Sequence, residues 1–396
     1  MIKEPYILFS RIPITRDAQG NLFTDPLWAK DLKLHLNYIE NFGICCPVEE
    51  SNDTRGLQDI SNLELKWFFE LKRDDGLTSV VKNLLPNFLT VIKACKKAKI
   101  VHSDGAGWAF PLSFYLLLLK PFMPFQWIIV IESSFWMLGH GEARTFRKVV
   151  EHHLHKTLLK GCLKAAHARI FTQSFYREYF LGNEKHRTFI NPATWVDKNN
   201  FATREEVKRR FESRQDGKLN ILFPSRLVKD KGVLVVLAAI EQLKCQDVNI
   251  SITIMGSGEL KENCLRFSAE HHGGIHVKYQ DNISYGDDFF KLISQHDWVL
   301  VPTLKQEQPR IIFDAFSQGT PVIASDTHGI LDITNKDNAF TFETGKSTSL
   351  AETLLHVARH PDLALKMGLA GLEYAAGKTH LQMHQDRAQF LKNSLE

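Results

Sequence analysis

The chain alternates short, almost wholly apolar runs with longer stretches whose apolar residues recur every three or four positions. The first pattern marks a strand buried on both faces, the second an amphipathic helix. Tyr6 to Phe9 opens the series as a strand, and Arg11 to Asp25 is polar and reads as a loop. Leu27 to Phe42 carries helical periodicity, and Ile44 to Pro47 reads as a second strand. A short apolar run, Leu63 to Phe69, precedes a helix from Thr78 to Lys97 that ends in Lys96, Lys97 and Lys99. Lys99 to His102 is a strand that runs into a turn holding Gly105 and Gly107. Pro111 to Ile131 is apolar over nearly the roughly 20 residues of a bilayer span. Lys120, Pro121, Pro124 and Gln126 interrupt it, so it reads as a buried helix, Leu112 to Leu119, a turn, and a core strand, Trp127 to Glu132. Arg144 to Arg169 is a long helical stretch. A strand from Ala168 follows, then a helix from Ser174 and a strand-and-turn over Ile190 to Asp197.

Lys198 to Gly217 is polar, with one helix from Glu205 to Glu212, and then the pattern restarts. Leu219 to Pro224, Ile250 to Met255, Ile275 to Tyr279 and Trp298 to Val301 read as strands, with a helix from Val233 to Leu243. After a polar loop, Thr303 to Gln308, a helix opens at Pro309, carries Ile311, Ile312, Ala315 and Phe316, and stops at Gly319. Pro321 begins the next strand. Strand, loop, helix and strand within about 28 residues make a parallel crossover unit. Leu350 to Arg359 and Leu363 to Leu395 read as helical. The two series predict two doubly wound α/β domains, over 1–197 and 218–372, joined by a linker at 198–217.

Composition narrows the class. The 396 residues are 44% hydrophobic and 24% charged, which suits globular domains. A net charge of +4 is too mild for a nucleic-acid binder. Six cysteines without a Cys-x-x-Cys pair read as scattered buried thiols rather than a zinc ribbon or a disulfide framework. No signal peptide precedes Tyr6, so a cytoplasmic location is expected. His152, His153 and His155 cluster in sequence, but no cysteine or second pair completes a metal set, and none is expected. Arg144 to Arg169 carries Arg144, Arg147, Lys148, Lys156, Lys160, Lys164 and Arg169 against the single acid Glu151. Such a helix is either a solvated charged face or a peripheral contact with an anionic membrane surface.

Two motifs carry chemistry. In the loop Ser225 to Gly232, Arg226 and Lys231 stand five apart before a glycine, at a strand-to-helix turn. The fork of an arginine, the point charge of a lysine and free helix amides suit a diphosphate. The second motif is the Trp298–Ser325 unit, whose polar loop lies at the carboxyl edge of a sheet, where α/β proteins hold anionic ligands.

Together these stretches resemble the donor site of family-4 retaining glycosyltransferases (glycosyl transferases group 1). Asp314-Ala-Phe-Ser-Gln-Gly319-Thr-Pro321-Val322 is similar to the second half of that family's Glu-x7-Glu pattern, with Asp314 in place of the second Glu. Gln306 stands eight positions back, and Glu307 is one step on. Arg226 and Lys231 match its Arg-x4-Lys-Gly loop, and Gly256-Ser-Gly258-Glu-Leu260 resembles its Gly-x-Gly-x-Leu turn. The resemblance implies a GT-B fold whose two Rossmann-like domains face a central cleft. It implies that residues 373–396 form a helix crossing back to the first domain. Arg226 and Lys231 would stabilise the leaving diphosphate, and Glu307 or Gln306 would hold donor-sugar hydroxyls. Asp314 would take ribose hydroxyls, and Gln280, Asn282 and Ile283 would lie beside the base. Gln308 and Arg310 complete the implied donor set. Gly20, His102 and Asp104 are its acceptor-side candidates. The implied partners are a nucleotide sugar, read as a UDP-sugar, and a glycan or lipid-linked acceptor. No cofactor and no metal are implied. A nucleotide-sugar epimerase of the same fold and a nucleotide-binding homologue without turnover are the alternatives. A dehydrogenase would need NAD at Gly105 and Gly107.

Overall fold

The computed structural model describes residues 1–105, 110–139, 144–214 and 217–395. The chain forms two compact units. The first comprises Met1–Trp136, Arg144–Pro192 and Met383–Glu396; the second comprises Met137–Ala143 and Ala193–Gln382.

The first unit opens with β1 (Tyr6–Phe9), β2 (Ile14–Arg16), β3 (Leu22–Thr24), α1 (Pro26–Leu36) and β4 (Phe42–Glu50). It continues with β5 (Gln58–Asp59), β6 (Trp67–Leu71), α2 (Leu77–Lys97), β7 (Ile100–Asp104), α3 (Leu112–Leu119) and β8 (Gln126–Ile131). The last members of this run are α4 (Phe146–Ala165), β9 (Ala168–Phe171), α5 (Ser174–Leu181) and β10 (Thr188–Ile190). The strand order is β10-β9-β8-β7-β1-β4-β2-β3-β5, with β6 also on β4. From β10 to β4 the pairing is parallel, in register Leu8↔His102 and Leu8↔Ile44. These central strands are apolar on both faces because helices cover both. Trp28, Ala29 and Leu32 of α1 join Leu8, Ile44, Ile100, Ile128 and Ile170 in one core cluster. On the other face, Leu159 of α4 approaches Ile129 and Ile131 beside Gly105, and Cys95 of α2 faces Cys45.

Several expectations are corrected here. Arg11 to Asp25 is not a loop: β2 and β3 form an antiparallel hairpin, and β2 pairs with β4 at Ile14↔Val48. The strands are three residues each, too short for period-two alternation to register. Gly20, at φ +86, serves the exposed hairpin turn, where Asp17 O accepts its N–H. Phe42 belongs to β4 and not to the preceding helix. Arg169 does not extend the basic helix. It lies in β9, is buried, donates to Leu163 O and pairs with Glu184. Five of the six thiols are buried, but Cys245, in the turn after the helix Val233–Leu243, is exposed.

The second unit begins with α6 (Arg204–Glu212) and β11 (Leu219–Pro224), then α7 (Val233–Leu243), β12 (Ile250–Met255), α8 (Lys261–Ser268), β13 (Ile275–Gln280), α9 (Asp287–Ser294) and β14 (Trp298–Val301). After these come α10 (Ile311–Ser317), β15 (Val322–Ser325), α11 (His328–Leu331), β16 (Ala339–Phe342), α12 (Ser347–Arg359) and α13 (Asp362–Ala375). Its six strands run parallel in the order β13-β12-β11-β14-β15-β16. Val233, Val236 and Ile240 of α7 and Leu350 and Leu354 of α12 fill one core with Ile221, Ile252 and Leu300. Ile312, Phe313 and Phe316 of α10 fill the other with Leu222, Val299 and Val322.

Residues 198–217, read as a linker, carry a packed helix. Thr203 caps α6 at Glu206 N, and Arg210 donates to Gln318 O (2.8 Å) and Gly319 O (3.0 Å), satisfying the last carbonyls of α10. The helical tail breaks at residues 376–379, between α13 and α14 (His380–Leu395). Helix α14 begins in the second unit's stretch, and from Met383 it groups with the first.

Candidate donor site and its acceptor-side neighbours

Strand order decides where the second sheet can hold a ligand. The chain leaves β11 for β12 and β13, then returns to place β14 on the other side of β11. Loops after β11 and β14 therefore diverge, leaving a crevice at the carboxyl edge. Ser225 to Gly232 and Thr303 to Arg310, the two motif loops, are those loops.

Backbone contacts lock them together. Gly232 sits at φ +75, and a side chain there would collide with Pro302 O. Leu304 N donates to Asp230 O at 2.8 Å. Lys231 is thereby brought against Glu307, with which it forms an ion pair, and Thr303 donates to the same Glu307 Oε1 at 2.6 Å. Both side chains stay partly open, 18% and 24% exposed. Arg226 is exposed on the same loop, with no hydrogen-bond or ion-pair partner among the described residues. The Gly256–Gly258 turn packs on this loop: Leu227 N donates to Ser257 O at 2.7 Å. A side chain at Gly256, φ +155, would strike Ser225 O. The glycines of this turn are needed for close backbone approach.

At the end of β13, Gln280 O accepts from Gly256 N at 3.2 Å, and exposed Asn282 donates to Ser257 Oγ at 2.9 Å. Ile283 is half-buried against the α10 core. Tyr285, a few residues on, donates to buried Asp314 Oδ1 at 2.8 Å. Burial, and then the neighbouring Asp314 charge, push the Tyr285 hydroxyl pKa well up. Asp314 itself is in the first turn of α10, which starts at Ile311 with Arg310 as its cap, two residues later than the sequence suggests.

The three residues Gln306, Glu307 and Gln308 take different directions. Gln306 Oε1 accepts from His328 N at 3.1 Å, so it reaches toward α11. Glu307 turns to Lys231. Gln308 is buried; its Oε1 accepts from Ala193 N at 2.7 Å, and its Nε2 has no partner among the described residues. Arg310 is exposed over the Trp195 ring at 5.0 Å. Sequence reasoning missed Thr303, Tyr285, His328 and Trp195 as the side chains that hold these groups.

In the first unit, His102 is buried and its Nδ1 lies 2.7 Å from Tyr6 OH. Burial, then Arg387, His35 and His384, drive its pKa well down. The fold seats it in the core of that unit. Asp104 ends β7, at the carboxyl edge. Its Oδ1 is buried without a partner among the described residues, and burial raises its pKa to about 6, against the pull of Arg11. Arg11 pairs with Asp74 at the same edge. Gly105 has a packing reason to be small, since a Cβ would collide with Ile131; Gly107 lies outside the described residues. His152, His153 and His155 do not converge: His152 meets Tyr179 OH, His153 meets Val149 O, and His155 stacks on Trp136. Among the described residues, two other groups of histidines and carboxylates come together in the fold. The fold joins Asp31, His35 and His384, and also Glu241, Glu270 and His272, each set with ligand atoms within 4.8 Å. Ligands 353 positions apart leave no spacing to read. Neither set includes Lys231 or Glu307.

Comparison with known proteins agrees with this geometry. Residues 204–373 match the family described as Glycosyl transferases group 1. The chain is 28% identical over 149 residues to an uncharacterised glycosyltransferase of Methanocaldococcus jannaschii, covering 36% of each. It is 26% identical over 147 residues to a glycogen synthase of Pectobacterium carotovorum, covering 35% of this chain and 30% of that one. The match thus spans about a third of these relatives' length. Among solved structures, sucrose-phosphate synthase from Thermosynechococcus elongatus superposes with a TM-score of 0.71 at 14% identity, covering 98% of both chains. Anabaena HepE, solved in complex with UDP and glucose, superposes at 0.67 and 14% identity, covering 98% of this chain and 99% of that one.

Proposed function

We propose that this chain, whose residues 204–373 match the family described as Glycosyl transferases group 1 and whose two sheets make a GT-B fold, moves a sugar from a nucleotide-sugar donor, a UDP-sugar, to a hydroxyl acceptor with retention. The observation that carries the reading is the meeting of Arg226, Lys231 and Glu307 at the switch point of the second sheet. Departure of a diphosphate leaves negative charge on its oxygens. Arg226 offers a free guanidinium fork. Lys231 has three N–H donors, of which Glu307 takes one, leaving two for phosphate. Charges fixed before the reaction need no reorganisation as the bond breaks. Glu307, rather than Gln306, takes the first acidic position, because it alone stands beside Lys231. It fixes the Lys231 ammonium and reaches donor-sugar hydroxyls. Asp314, oriented by Tyr285, accepts ribose hydroxyls. Gln280, Asn282 and Ile283 lie beside the base, and the open Nε2 of Gln308 and the exposed Arg310 add donors.

HepE was solved with UDP-glucose, which supports UDP as the base carrier here. Asp104 and Gly20 remain the acceptor-side candidates of the first unit; His102 supports Tyr6 instead. The acceptor is a glycan or a lipid-linked sugar, in cell-surface polysaccharide or glycolipid synthesis on the cytoplasmic side. Peripheral membrane contact runs through the basic helix α4. Among the described residues no helix is long and apolar enough to cross a membrane.

Titration calorimetry with UDP, GDP, ADP and NAD tests the reading. UDP binding that falls at least about 30-fold in Arg226→Ala with Lys231→Ala is expected, since each charge-assisted hydrogen bond contributes about 1.5–3 kcal/mol. UDP binding unchanged in that variant, or heat with NAD alone, overturns it. Conversion of a UDP-sugar without an acceptor identifies the epimerase, and binding without turnover identifies the non-catalytic homologue.

A further inference from the structure

In the first unit, solvent meets apolar side chains where the core has no use for them. Of 15 exposed large hydrophobic side chains among the described residues, nine lie on α2, on α3 and the turn after it, and on α4. On α2, Val81, Leu85 and Leu89 are 75%, 64% and 50% exposed and stand four residues apart, which makes one stripe. Phe122, just after α3, and Phe146, at the start of α4, are 84% and 85% exposed. Val150 and Leu154 continue the Phe146 row at the same spacing. The three helices are neighbours: Phe88 of α2 stacks on Tyr115 of α3 at 5.7 Å, and Cys162 of α4 donates to Ser113 O of α3 at 3.5 Å.

Charge says what covers this layer. Lys82, Lys93, Lys96 and Lys97 lie on α2, and Arg147, Lys148, Lys156, Lys160 and Lys164 on α4; Glu151 is the one acid on the three helices. Among the described residues, Lys82, Lys93, Lys96, Arg147, Lys160 and Lys164 have no ion-pair partner. The α2 stripe runs straight into Lys93 and Lys96. A helix with an apolar row and a cationic margin lies in the plane of an anionic bilayer, its apolar row among the acyl chains and its lysines at the headgroups. Two such helices of 21 and 20 residues, each about 30 Å long, present an extended face rather than a groove.

We propose that α2, α3 and α4 form a monotopic docking face for an anionic lipid bilayer, with Val81, Leu85, Leu89, Phe122 and Phe146 inserted. This deepens the peripheral contact proposed above for α4 alone: it adds the α2 stripe, and it requires apolar insertion as well as charge attraction. It rests on the transferase reading only for the use of the contact, since the contact forms without donor or acceptor.

Co-flotation of the full chain with vesicles tests it. Vesicles of phosphatidylcholine alone are compared with vesicles holding about one-third phosphatidylglycerol, at low and high salt. Expected is at least about tenfold stronger partition onto the anionic vesicles, cut at least about fivefold by Lys93→Glu with Lys96→Glu. Val81→Ser with Leu85→Ser and Leu89→Ser is expected to weaken it as much, at unchanged UDP affinity. Absence of flotation, equal flotation on neutral vesicles, or full flotation of the serine variant overturns the proposal. A dimer in size-exclusion chromatography that the serine variant loses identifies a second copy as the occupant and also overturns it. Because the substitutions are exposed and UDP affinity is read alongside, failure here is separable from failure of the donor site.

Discussion

At the scale of the residue, the proposed function makes the Lys231–Glu307 pair a positioning device. A partly exposed pair of this kind, 18% and 24% open to solvent, contributes on the order of 1 kcal/mol to folding. Glu307→Gln is therefore expected to leave the melting temperature within a few degrees while lowering turnover about 100-fold or more, the scale of losing one transition-state contact. Turnover close to wild type in that variant would remove Glu307 from the site. Tyr285→Phe acts differently. It takes a hydrogen bond from a buried carboxylate, so it should cost about 1–3 kcal/mol of stability and weaken nucleotide binding. Unchanged denaturation and binding would show that Asp314 does not depend on it. A third residue titrates. His384 is buried against Asp31, His35, Tyr38 and Arg387, and burial lowers its pKa to about 3. In the unfolded chain it takes a proton below its ordinary value near 6.5, and in the folded chain it does not. Stability therefore falls as pH drops from about 6.5 toward 3, by up to about 1.4 kcal/mol per pH unit. His102 acts in the same direction, while Asp104, raised to about 6, opposes both below that pH. Denaturation midpoints between pH 7 and pH 6, where the histidines act unopposed, should slope less in His384→Gln than in wild type.

At the scale of the element, periodicity located what is long and covered. The strands β11 and β12 and the helix α7 lie where the apolar runs end, because a buried parallel strand is apolar throughout and its loop is not. The β2–β3 hairpin escaped, since three-residue strands made by pairing with β4 leave no periodic trace. Arg169 fits both the end of the basic stretch and the strand from Ala168 in sequence, and its burial and pairing with Glu184 decide for the strand. In the candidate site, Arg226 and Lys231 stand out by their spacing before Gly232, and Glu307 and Asp314 only by the resemblance. Tyr285, Thr303 and His328 stand out by neither, since hydrogen bonds across 4, 22 or 29 positions follow no repeat. The glycines were visible as letters, but only the collision with Pro302 shows why Gly232 cannot be replaced. Gly232→Ala should cost more than about 2 kcal/mol and weaken UDP binding together with stability, through strain and a displaced Lys231. Calorimetry and denaturation on one sample check whether the two losses travel together.

At the scale of the whole molecule, the residues proposed for the donor lie in one unit. Hydrogen exchange with UDP is expected to protect residues 225–232, 256–260, 280–285 and 303–311, all at the carboxyl edge of the second sheet. Protection confined to residues 1–105 would contradict the assignment. The first unit has a different peculiarity. Its core includes Leu391, its polar centre includes His384, and the backbone of Ser394 and Leu395 accepts from His167 and Gln126. All four lie in α14, the last helix of the chain. During synthesis the ribosome delivers residues 1–192 first, yet the piece that closes their core leaves the exit tunnel only after the second unit has been made. Such a chain cannot mature strictly from its beginning to its end. Its first unit waits, unfinished, for its final fourteen residues, and a stop codon a few turns early injures the part of the protein that was made first.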